Sequence, residues 1–64
     1  MDDGRLFVRV PEAALRLGIG KSKLYELMAE GEISVVRIGR GVRVPVHVLA
    51  EYAERLEREQ IAGH

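Results

Sequence analysis

The chain contains no cysteine, carries no net charge and has no long apolar run. Without cysteine, neither a disulfide nor a thiolate metal site can brace the fold. No run approaches the length of a membrane-spanning helix, and the opening residues MDDGRLF lack the basic start and apolar stretch of a secretory signal. The expectation is an intracellular, cytoplasmic protein with no membrane partner. Internal repeats and linkers are absent too. Sixty-four residues therefore allow one small domain, expected over residues 1–64 with its core at about 6–61. With 47% apolar residues in clear periodic patterns it should fold, around a thin core.

Ten Lys and Arg balance ten Asp and Glu. That sum alone speaks against a nucleic-acid binder, whose domains are usually basic. The distribution says otherwise. Residues 13–25 hold Arg16, Lys21 and Lys23 without an acid, and residues 33–50 hold Arg37, Arg40 and Arg43 without an acid. The acids gather at Asp2 and Asp3, at Glu26, Glu30 and Glu32, and at Glu51, Glu54, Glu57 and Glu59. Such segregation implies one basic face and an acidic back.

A short extended segment is expected at residues 6–10. Pro11 then suits the first position of a helix, where its missing N–H is not needed. Residues 11–17 place Ala13, Ala14 and Leu17 on one side, and Gly18 suits a left-handed stop. After Gly18, Ile19 and Gly20 comes a second helical pattern at residues 21–30, with Leu24, Leu27 and Met28 forming a narrow buried stripe. Gly31 ends it. Two short helices across a three-residue, glycine-containing turn read as a helix-turn-helix, although any compact α-hairpin would give the same pattern.

Residues 35–45, VVRIGRGVRVP, read as a β-hairpin. A two-residue loop would pair valines with arginines. A three-residue loop of Gly39, Arg40 and Gly41 pairs Ile38 with Val42, Arg37 with Arg43 and Val36 with Val44, keeping the apolar residues on one face. Gly41 is then expected to be the left-handed residue of the loop. Arg37 facing Arg43 is a like-charge conflict that a polyanion along that face would relieve. Pro45 closes the second strand and can open a last helix at about 45–60 that buries Leu49, Tyr52, Ala53 and Leu56, with Ile61 continuing the stripe. The tail, residues 62–64, is expected to fray.

Helix-turn-helix plus basic hairpin is the layout of a small α+β winged helix-turn-helix. In that layout the second helix enters a major groove, and the hairpin reaches the backbone or the minor groove. The stretch EAALRLGIGKSKLYELMAEGEISVVRIGRGVRVPVHVLAEY resembles the excisionase-type, MerR-like winged helix-turn-helix family over about residues 10–53. Glycines, tyrosine, arginines and proline all fall in register with that family's pattern. The resemblance implies a small bacterial or phage protein acting on DNA as an excisionase (a recombination directionality factor) or as a short transcriptional regulator. Gly20 stands where many relatives have a capping Ser, Ser34 where Pro is frequent, and Glu26 where a basic residue is common. Glu26 repels phosphate but can accept a hydrogen bond from a cytosine amine.

The candidate DNA contacts are Arg16, Lys21, Ser22, Lys23, Tyr25, Glu26, Arg37, Arg40 and Arg43. The plain alternative for the arginines is a solvated hairpin paired with the acids of the last helix. Tyr25 is open between packing and phosphate contact, and Arg16 between a surface residue and a phosphate ligand. His47 has no second ligand at metal spacing and reads as a surface histidine. Catalysis has no support: Ser22 lacks a base, no glycine-rich phosphate loop follows a strand, and no carboxylate pair sits in an apolar setting. A non-enzyme without cofactor or metal is expected. Its partners would be double-stranded DNA, an integrase or other recombinase, and further copies of itself along the DNA. A module that only binds protein is the competing class. The last helix is too short for the coiled coil of full MerR regulators, so a monomer is expected in free solution.

Overall fold

The computed structural model describes residues 5–62 of the chain. In order they form β1 (Phe7–Val8), α1 (Val10–Leu17), α2 (Lys21–Ala29), β2 (Val36–Ile38), β3 (Gly41–Pro45) and α3 (Val46–Ala62). Three helices pack with a three-stranded antiparallel sheet of order β1-β3-β2. This is the expected small α+β winged helix-turn-helix. Within the tail, Ala62 belongs to α3, and the expected fraying of residues 63 and 64 lies outside the described residues.

Local chemistry accounts for the two short helices. Pro11 sits in the first turn of α1 beside Glu12, whose charge suits the positive end of the helix. The helix begins at Val10, one residue before Pro11. At its end Gly18 adopts φ +73°, a left-handed conformation costly for residues with a Cβ. The Ile19 N–H then reaches the Ala14 carbonyl and the Gly18 N–H the Leu15 carbonyl, both at 3.0 Å, which satisfies two otherwise orphaned acceptors. Three residues later α2 begins after Gly20, an N-cap with no side chain to donate to.

α1 packs on α2, α3 and β3, and β3 in turn joins α1 and α3 to the other two strands. Ala13 and Ala14 are small enough for close approach, and Leu24 and Leu27 of α2 fill the space with them. Val8 pairs across the sheet with Val44, and both side chains enter the core with Val10, Ile33 and Leu49. Among the described residues Leu24, Ile33 and Val44 are the largest side chains that are wholly buried, and none of the buried side chains is polar. The hydrophobic stabilisation of the protein therefore rests on a handful of aliphatic contacts.

α3 departs from expectation in its second half. Leu49 is buried, and Tyr52 and Ala53 are half-buried, but Leu56 is 39% and Ile61 71% exposed. A helix of 17 residues is about 26 Å long. It outruns the small body, so its C-terminal stripe has no core to enter.

The hairpin forms in a different register from the one expected. Val36 faces Arg43, Arg37 faces Val42 and Ile38 faces Gly41, leaving a two-residue loop of Gly39 and Arg40. The left-handed residue is Gly39, at φ +61°, not Gly41. Glycine first, followed by a residue of negative φ, is the type II′ pattern, whose twist matches that of the flanking strands. The one-residue change sends the two strands' apolar residues to opposite faces. Val42 and Val44 point toward the helices on the face shared with Arg37, while Val36 and Ile38 lie outside with Arg43. Val8 and the core fix the facing of β3. β2 is an edge strand with all three residues exposed, so little burial is lost when it follows the turn's preference. Arg37 and Arg43 do not face each other. The like-charge conflict is absent, and removing the pair should bring no gain in stability.

Candidate nucleic-acid interface

The first turn of α2 carries Lys21, Ser22 and Lys23, all exposed, and no acid. Backbone N–H groups at a helix start lack intrahelical partners and carry the positive end of the dipole. Two lysines there are unfavourable unless an anion is near. Lys23 Nζ lies 3.4 Å from Glu26 Oε1, and both side chains are more than half exposed. Such a pair is worth little in water. Tyr25 is 55% exposed, so it is not part of the buried core. Ser22 and Glu26 are exposed on the same helix.

The wing holds the other cations. Arg37 and Arg40 are exposed, Arg40 at the tip, and Arg43 is half-buried in the central strand. Among the described residues none of the three pairs with a carboxylate; the ion pairs join Arg5 and Arg16 to Glu12, Lys23 to Glu26, and Arg55 to Glu32. The acids of α3 therefore do not neutralise the hairpin, contrary to the plain alternative. Arg55 instead ties α3 to the turn after α2, with Nη2 2.9 Å from Glu32 Oε1. Arg43 Nη1 donates to the Val42 carbonyl at 3.1 Å.

Arg16 is differently placed. Its Nε and Nη2 donate to Glu12 Oε2 at 3.1 and 2.8 Å, and Arg5 holds the same carboxylate from the other side. The hydrogen bonds from Arg16 above all, aided by the charge of Arg5, hold the Glu12 carboxyl below its ordinary range. A lowered carboxyl pKa contributes stability above the unfolded value, which is lost as pH falls through the folded value. A phosphate approaching Arg16 would thus compete with Glu12 for its guanidinium.

An apolar groove of about 600 Å³ runs between the helix-turn-helix and α3, lined by Leu17, Ile19, Leu27, Tyr52, Leu56 and Ile61 among others, with Lys23 and Glu57 also in its wall. Periodicity alone missed it because Leu56 and Ile61 read as core. His47 is exposed, and no group of His, Asp and Glu among the described residues is arranged to hold a metal. No helix among the described residues is long and apolar enough to cross a membrane.

Two helices across a tight turn, a basic helix start and an arginine-bearing two-strand wing define a winged helix-turn-helix protein. Residues 7–57 match the helix-turn-helix domain family, and the chain belongs to it. Over 59 residues it is 48% identical to a protein of Saccharopolyspora erythraea described as a probable excisionase; the match covers 92% of this chain and 60% of that relative. The chain thus spans about 60% of the length of the curated relative it matches. No solved structure matches it.

Proposed function

We propose that the chain binds double-stranded DNA as an excisionase-type protein, a non-enzyme that directs a recombinase rather than cutting DNA itself. The observation that carries this reading is the set of three wing arginines without an acid partner among the described residues, on a helix-turn-helix scaffold whose second helix starts with two lysines. The description of the Saccharopolyspora relative favours excision over promoter regulation. In this reading α2 enters the major groove, with Ser22, Lys23 and Glu26 near base edges and Lys21 and Tyr25 near phosphates. Arg37 and Arg43 emerge on opposite faces of the wing, so a hairpin entering a groove edge-on would offer a cation to the phosphates on either side. Arg40 then points into the groove, and Arg16 is an auxiliary phosphate ligand.

A mobility shift at low salt is the direct test. A nonspecific duplex should be retarded, and retardation should fade with salt at a slope near −4 if about four or five cations neutralise phosphates. An unshifted duplex would leave only protein binding. Arg40→Ala should keep the fold, since the side chain faces water. It should weaken DNA binding by roughly 1–3 kcal/mol for a narrow-groove contact, or about half that for phosphate alone. Unchanged affinity would remove the wing from the interface. The free chain is read as a monomer that meets further copies, or an integrase, on DNA. The apolar groove beside α3 is the surface that favours a protein partner of either kind.

A further inference from the structure

We propose that Gly41 is a positioning residue whose missing Cβ seats the Arg43 guanidinium and orders it for DNA; the DNA part rests on the function proposed above. Gly18, Gly31 and Gly39 have positive φ, and Gly41 does not. Its backbone is ordinary strand, so conformation gives no reason for glycine there. Space does. A Cβ at Gly18, Gly20, Gly31 or Gly39 would have nothing within 4 Å, whereas at Gly41 it would collide with Arg43 Nη1 and sit 3.1 Å from Cζ and 3.3 Å from Nη2. All three atoms belong to one guanidinium. Glycine inside a strand weakens it and marks a close approach.

Gly41 and Arg43 are two apart on the same face of β3, and Gly41 is the one nearer the turn. The side chain of Arg43 therefore lies back along the strand, carrying its charge roughly 7 Å toward the end of the wing that holds Arg40. The hydrogen bond from Nη1 to the Val42 carbonyl holds it there. Arg37 and Arg40 are exposed, and Arg43 is half-buried. Of the three, Arg43 is the cation already ordered before a ligand arrives, which lowers the entropy lost on binding.

Gly41→Ala, Arg43→Ala and the double variant separate this from a general effect on the strand. Alanine at 41 should leave the protein folded, because only the flexible end of Arg43 has to move. Affinity for a duplex should fall about two- to tenfold, the loss expected from one unseated long side chain. The salt slope should stay that of the wild type, because the charge is still present; Arg43→Ala should lose about one unit of slope. In the Arg43→Ala background, Gly41→Ala should change nothing further. In the free protein, NOEs between the Arg43 side chain and the Gly41 α-protons should be present. Wild-type affinity for Gly41→Ala, or an equal loss in both backgrounds, would overturn the proposal, as would absent NOEs. A wild-type chain that retards no duplex overturns the DNA reading, and the seat itself then stands or falls on the NOEs.

Discussion

Replacing Arg37 and Arg43 together with alanine is expected to flatten the salt dependence of DNA binding by about two units of slope, from near −4 to near −2. Extrapolated from 1 M salt, that loss weakens binding roughly 45-fold at 0.15 M and more at lower salt. All duplexes should suffer alike, because phosphate contacts carry no sequence information. The thermal midpoint should not rise, since the two arginines lie on opposite faces of the wing and no facing pair is relieved. Replacing Ser22 or Lys23 should act in the other way. Discrimination between sequences should change, because the start of the second helix is where base edges are reached. Salt titrations on a cognate and a scrambled duplex measure both quantities. A wing variant that lost discrimination but kept its slope would show that hairpin and helix have the opposite roles.

The second large effect concerns the fold. Leu24 is wholly buried against the alanines of α1, and Leu24→Ala should cost about 2–5 kcal/mol. A core this small supplies roughly 3–5 kcal/mol of stability. The variant should therefore be largely unfolded at 37 °C, with a midpoint depressed by roughly 10–30 °C if a transition remains. Leu15→Ala is the control: Leu15 is 78% exposed, and its loss should shift the midpoint by only a few degrees. Circular dichroism melts of the pair decide the matter. A Leu24→Ala midpoint within a few degrees of the wild type would mean that the core is centred elsewhere.

Much of this was legible in the residues. Gly18 and Gly31 punctuate the helices as their position suggested, Leu24 and Leu27 are buried, and Pro45 marks the junction of β3 with α3. These are local statements, each settled by a few dihedral angles or by one helical period. The acid-free stretches around Lys21 and Arg40 were equally plain. Their meaning became sharper once the structure left the wing arginines without carboxylate partners among the described residues.

The hairpin register was not legible, for a specific reason. Valine or isoleucine alternates with arginine on both sides of GRG, so either loop length satisfies a period of two. Gathering all apolar residues on one face favours three residues; the twist of a glycine-first turn favours two. The choice falls to burial, and β2 lies at the sheet edge where burial is slight. The same absence of neighbours leaves Leu56 and Ile61 exposed, because periodicity describes a stripe without saying how far the core extends beneath it. Arg5 clasping Glu12 and Gly41 seating Arg43 depend on where whole side chains come to rest. Sequence by itself determined the helix-turn-helix, its capping glycines and the supply of basic residues, since these follow from local conformation and composition. Only the tertiary structure decided which face each arginine takes and which hydrophobic residues remain in water, since both depend on the fixed facing of β3 and on the reach of a small core.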